Sequence, residues 1–157
     1  MKAKLYLITA FLFCSLISNA QKLSLNDLQI LYEMDLVDAN ACLVLKKWKL
    51  LGTDQFDNGI SALIYEYTIR EGCLARLVLL VTDKQKTGTI IYFTSDDTVY
   101  DGIKKSLSQN GYKGGAGEIK NGTIHFQYYN DKVYFLDIDI STNGIAKYTI
   151  KLLNLRQ

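Results

Sequence analysis

The sequence of 157 residues has no proline, one histidine, one tryptophan and three cysteines, and it carries no low-complexity tract. With 48% hydrophobic residues and eleven tyrosines, this composition argues against a disordered chain. A lone histidine and two separated cysteines downstream of residue 20 offer no zinc-ligand spacing, and one cysteine pair is no disulfide framework. Long apolar runs are also missing. The run from Leu5 to Ile17 is about 13 residues, short of the roughly 20 that a bilayer-spanning helix needs, and no membrane span is expected. Charge of one sign is equally scarce. Removing residues 1–20 takes away two of the eighteen basic residues and none of the sixteen acidic ones, which leaves a formal net charge of zero. Such a chain has no general electrostatic pull toward nucleic acid or an anionic membrane surface.

What is present at the N-terminus follows the plan of a secretory signal. Lys2 and Lys4 supply positive charge, Leu5 to Ile17 the apolar run, and Ser18-Asn19-Ala20 a small-residue exit, so cleavage after Ala20 is expected to leave Gln21 first. Cys14 lies within the apolar run, but Phe13 before it is bulkier than a lipidation site requires, which favours a soluble periplasmic or secreted product over a lipoprotein. Residues 21–157 match one domain able to bury its own core. Cys42 and Cys73 remain in it; an oxidising compartment would let them pair, and two buried free thiols are the competing reading.

Along the chain, Ser24 with Asp27 three residues later forms a capping box ahead of Leu25, Leu28 and Leu31, predicting an amphipathic helix. A second helical piece is expected from about Asp38 to Lys47. Alternation then predicts extended segments at Lys47–Leu51, Ala62–Ile69, Leu74–Thr82 and Thr89–Thr94, separated by glycine-containing turns. The order recurs. Asp96-Asp97 opens a helix through Val99, Ile103 and Leu107 that stops at Asn110-Gly111, and extended segments follow at Tyr112–Lys113, Gly122–Tyr129, Lys132–Ile140 and Ile145–Leu153. Trp48 overlays Tyr112, Leu63-x-Tyr65-x-Tyr67 overlays Ile124-x-Phe126-x-Tyr128, and Gly88-x-x-x-Tyr92 overlays Gly144-x-x-x-Tyr148. The expected architecture is therefore α+β: a tandem repeat, about 23–94 and about 95–155, of a helical unit plus a four-stranded antiparallel meander, with helices on one sheet face.

This order of helix, aromatic-ended strand and hairpin-linked strands resembles the tandem architecture of the β-lactamase inhibitor protein fold. The spacing of Leu-Asn-Asp-Leu, Leu-Lys-Lys-Trp and Asn-Gly-Tyr-Lys is similar to that of uncharacterised exported proteins of Bacteroidota. In the inhibitor fold the sheet face away from the helices binds an enzyme, so the resemblance implies a protein-binding sheet face. It carries over no individual binding residue.

Few residues suggest catalysis. His125 alternates with Thr123, Gln127 and Tyr129 as a surface residue of a strand would, and no serine elbow or catalytic cysteine context accompanies it. Asp137 and Asp139 share one strand face about 7 Å apart, a separation a glycosidase pair could use. Cross-strand charge pairing is the alternative, with Asp139 opposite Lys147 across a Thr142-Asn143-Gly144 loop. Asp54, Asp57 and Asn58 lack a calcium-binding loop, and the glycine-rich run from Gly111 to Gly117 follows a helix instead of opening one, which reads as a flexible connection. No catalytic set, metal or cofactor is assigned.

The informative feature is the sheet face opposite the helices. Strand parity places Glu66, Arg76, Leu80 and Phe93 on it in the first half, and Phe135, Asp137 and Lys147 in the second. Apolar residues edged by charge suggest contact with a protein partner, unless the face is buried within the chain itself. The expectation is a non-catalytic protein-binding module, of inhibitor or immunity type. The competing class is a small-ligand or lipid carrier with an apolar cleft between sheet and helices.

Overall fold

The computed structural model describes residues 22–56, 59–70, 73–81, 87–114, 117–130, 132–139 and 147–153; the side chains of Arg70, Cys73 and Asp139 lie outside this description. The expected signal segment and the 142–144 loop therefore fall outside the described residues.

Among the described residues, two short helices come first. In α1, Leu25–Glu33, the Ser24 hydroxyl accepts the Asp27 N–H at 3.2 Å while the Asp27 carboxylate accepts the Ser24 N–H at 2.8 Å, the capping box read from the sequence. The second helix, α2, spans Leu36–Leu45, earlier than expected, because Asp35 and not a later residue caps it, accepting the Asp38 N–H at 2.9 Å. Both α2 and the third helix, α3 (Asp97–Gln109), stop in the same way. The N–H of Trp48 reaches back to the Leu43 carbonyl and that of Tyr112 to the Leu107 carbonyl, across a left-handed residue, Lys47 in one case and Gly111 in the other. This termination drives an aromatic ring into the core, where Trp48 and Tyr112 are buried.

Strands β1 (Lys49–Gln55), β2 (Ser61–Arg70), β3 (Cys73–Val81) and β4 (Thr87–Thr94) follow α2. After α3 come β5 (Lys113–Gly114), β6 (Glu118–Lys120), β7 (Thr123–Tyr129), β8 (Val133–Asp139) and β9 (Tyr148–Leu153). Among the described residues these form one open, fully antiparallel sheet in the order β1-β2-β3-β4-β9-β8-β7-β5, with β6 also on β7. The class is α+β. The seam is the β4–β9 pair, which runs from Thr89 opposite Leu153 to Thr94 opposite Tyr148 and includes Phe93 opposite Thr149. Helix α1 packs over β4 and α3 over β9, so both sit on the seam.

Parity sorts the side chains. Tyr65, Leu77, Leu79, Ile90, Tyr92, Tyr134, Leu136 and Ile150 point to the helices and are essentially inaccessible, continuous with Leu28, Leu31, Leu43, Ile103 and Leu107 from above. Aromatic rings join the layers: Trp48 lies 5.6 Å from Tyr67 and 6.0 Å from Tyr92, Tyr112 meets Tyr134 edge-on at 5.3 Å, and Tyr100 stacks on Tyr148 at 4.3 Å. The strand β6 went unforeseen, since its three residues are exposed and Ile119 has no buried face. Residues 115–116 of the glycine-rich run lie outside the described residues. A Cβ on Gly114 would run into the Tyr128 ring and one on Gly117 would meet Phe126 at 2.8 Å, so these glycines let the backbone lie against aromatic rings.

Candidate functional site: the open sheet face

On the face away from the helices, strand registers bring one residue from each of eight strands into a single row. From the seam outward on one side, Phe93 is followed by Arg76, Glu66 and Lys49. On the other side, Thr149 is followed by Asp137, His125 and Glu118. Two pairs of neighbours along this row are in side-chain contact. The Arg76 guanidinium donates from Nε to Glu66 at 3.1 Å, and His125 Nδ1 lies 2.8 Å from an Asp137 oxygen. These groups are partly accessible, with side-chain exposures of 42% and 23% for Arg76 and Glu66 and 38% and 26% for His125 and Asp137, so each pair is a modest contributor to stability in isolation.

Two residues along the strands, the next row is mainly apolar: Ile64, Val78 and Ile91 lead across the seam to Lys151, Phe135 and Gln127. Beyond it, Ala62, Leu80 and Thr89 continue to Leu153, Val133 and Tyr129, with Asp54 at one end and Lys113 at the other. Arg76, Glu66, Phe93, Phe135, Asp137 and Leu80 thus all lie on the face where sequence parity puts them. Ala62 and Val133 share their parity yet are almost inaccessible.

Lys147 does not join them. It sits one residue before β9, and its ammonium reaches Asp97 at the start of α3 at 3.0 Å, 4.9 Å above the Tyr148 ring. The expected Asp139–Lys147 contact depends on an Asp139 side chain that lies outside the described residues, while Lys147 is paired with Asp97. The Tyr148 hydroxyl donates to the same carboxylate, and these two contacts hold the Asp97 carboxyl below its ordinary range. The reason is that parity holds only inside a strand, and the chain bends at Lys147. Asp137 is likewise engaged by His125, and its geometry with the Asp139 side chain lies outside the described residues. His125 is the member that sequence reasoning left aside. A signal existed, because Tyr129 pairs with Val133 across residues 130–132, and counting four residues outward on each strand reaches His125 and Asp137.

Elsewhere, Cys42 has a free, half-buried thiol on α2, while Cys73 lies in β3 with its side chain outside the description. Among the described residues, no three His, Cys, Asp or Glu side chains converge on a metal-sized site, and no helix is long and apolar enough to cross a membrane. An open cleft of about 300 Å³ lies between the segment Lys22–Leu25 and α3, lined by Val99, Gly102 and Ile103. At its rim Asp96 joins Lys22 at 2.7 Å and accepts the Thr98 hydroxyl and N–H. Burial pushes the Asp96 carboxyl up, but Lys22 and Thr98 outweigh it and hold it down at about 2. No family model, no curated protein and no solved structure matches the chain, so the row and its apolar neighbours are the features on which a function can be argued.

Proposed function

We propose that this protein is an exported, non-catalytic protein-binding module that acts through the open sheet face. The observation that carries the reading is the cross-sheet row, in which Arg76, Glu66, Asp137 and His125 flank Phe93 and lie beside Val78, Ile91 and Phe135. Partly exposed apolar and aromatic side chains set among paired charges form the kind of surface that protein interfaces use, with anchors at the centre and polar groups at the rim. The inhibitor or immunity type is the class implied by the resemblance to the β-lactamase inhibitor protein fold. Export is supported by residues 1–20, with the periplasm or the exterior as destination.

The tandem repeat belongs to the same proposal. It is supported by the strand order, which reads β1-β2-β3-β4 to the seam and β9-β8-β7-β5 away from it, and by the matching ends of α2 and α3 at Trp48 and Tyr112. The offset of 56 between Tyr92 and Tyr148 is even, which keeps both rings on the helix side under a pseudo-two-fold axis through Phe93 and Thr149. Filling of the space between sheet and helices by Tyr65, Tyr92 and Tyr134 weighs against a small-ligand carrier.

The test is affinity capture from the producing cell's envelope, followed by binding measurements. Phe93→Ala, Phe135→Ala and Arg76→Ala should each weaken the captured interaction by about 1–3 kcal/mol while leaving thermal stability nearly unchanged. If all three destabilise the isolated protein as strongly as a core substitution does, the face is internal packing and the proposal fails.

A further inference from the structure

The charge pattern of the open face changes sign across its seam. Counting outward from Phe93 and Thr149, the first residues are Arg76 and Asp137, the next Glu66 and His125, the last Lys49 and Glu118. Four residues along the strands, the ends of the outermost row are Asp54 and Lys113, again opposite in charge. We infer that this face is complementary to itself and that its occupant is a second copy of the same chain, related by a two-fold axis lying in the interface along the β4–β9 seam. The inference rests on the reading of the face as a protein-binding surface and names the partner.

Such an axis reverses the order of residues across the sheet and keeps their level along the strands. Arg76 then faces Asp137 of the second copy, and Lys49 faces Glu118 of the second copy. Glu66 meets the imidazole of His125 of the second copy, and Asp54 meets Lys113 of the second copy. Every one of these contacts occurs twice, as in any isologous interface. Between the charged rows, Val78 is set against Phe135, so apolar groups cover apolar groups. Among the three rows, Lys151 against Ile91 is the one place where a charged residue opposes an apolar one. The other in-plane axis, running across the strands, fails this test: it would set Arg76 against Leu80 and Asp137 against Val133, desolvating charges without new partners.

Shape agrees with charge. A twisted sheet is carried onto a surface parallel to itself by a two-fold axis along its central strand, so the two faces stay in contact outward from the seam despite the twist. Seven inter-strand gaps of about 4.8 Å and three rows of side chains give a face of roughly 34 Å by 20 Å, about 700 Å² per copy, close to the ~800 Å² per partner of a standard interface. Because Arg76 and Asp137 already hold partners within their own chain, docking extends existing charge networks, and Lys151 opposite Ile91 is the charge that gains no new partner.

Sedimentation equilibrium tests this. The wild-type protein is expected to dimerise, and Arg76→Asp or Asp137→Arg alone, each checked for its fold by circular dichroism, should weaken the dimer by at least about tenfold through like-charge contacts. Mixed in equal amounts, the two variants should dimerise together to within about threefold of wild type, since Asp placed at 76 then faces Arg placed at 137 in one contact and the native Asp137 faces the native Arg76 in the other. Lys49→Glu and Glu118→Lys, both at exposed positions, repeat the design where no core is disturbed. A wild-type protein that stays monomeric up to millimolar concentration overturns the inference, as does a dimer indifferent to either reversal, or a mixture that fails to restore it. In any of those cases, envelope capture of a different protein that depends on Phe93 would still uphold the binding-module reading, so the two failures are distinguishable.

Discussion

Asp96 shows how one side chain can tie several elements together. Its carboxylate caps α3, binds the Thr98 hydroxyl at 2.6 Å and holds Lys22, which leads into α1. With a folded-state value of about 2 against an ordinary 3.9 or so, the carboxylate stabilises the fold fully above pH ~4, and that contribution is lost as pH falls through about 2. Asp96→Ala should therefore cost about 0.5–2 kcal/mol in urea titrations near neutral pH, and the gap between variant and wild type should narrow between pH ~4 and ~2. A gap that is unchanged at pH 2 would mean the ionised carboxylate is not the cause. Tyr148 is a different kind of residue. It is buried, stacked on Tyr100 and anchored at its hydroxyl by Asp97, so Tyr148→Ala should lower stability by about 3 kcal/mol or more, measured by the same titration.

Among the elements, the two matching helix ends are the most informative. The left-handed position is glycine in one, Gly111 with φ 75°, and lysine in the other, Lys47 with φ 64°. A residue with a Cβ is strained in that conformation by about 1 kcal/mol, whereas glycine is not. Lys47→Gly should thus raise stability by about 0.5–1 kcal/mol and Gly111→Ala should lower it by about 1 kcal/mol, both read from chemical denaturation midpoints. A loss of stability in Lys47→Gly, or none in Gly111→Ala, would show that the two ends are not built alike. The sheet edges follow another logic: β1 is exposed along nearly its whole length, and its bulge near Gly52 together with Lys49 and Asp54 hinders the addition of a further strand.

The whole molecule is organised by the seam. One hydrophobic cluster runs from Trp48 and Tyr65 through Tyr92 and Ile150 to Tyr134 and Tyr112, beneath all three helices. Among the described residues no boundary interrupts this packing, so calorimetry should show one cooperative transition, and Ile150→Ala, at the buried centre, should cost about 2–5 kcal/mol and shift that transition as a unit. Two resolved transitions would mean that the halves on either side of β4–β9 fold separately. At the same scale, Phe93→Ala, on the open side of the seam, should leave the melting temperature nearly unchanged while reducing association, the reverse of Tyr148→Ala.

Local chemistry determined by itself the capping box of α1, the stop of α3 at Asn110-Gly111, the α+β class and the parity of most strands, because each depends on residues a few positions apart. It put Arg76, Glu66, Phe93, Phe135 and Asp137 on one face without knowing what stood beside what. Three kinds of fact needed the tertiary structure. The β6 strand is held by pairing with β7 and not by any burial pattern of its own. Lys147 turns to Asp97 because the chain bends where strand parity would have continued. The cross-sheet row exists because β4 pairs with β9, strands more than fifty residues apart with no turn to fix their register. Packing of Tyr92 against the same core as Ile150 and Tyr148 sets that register, and the order of charges across the face follows from it.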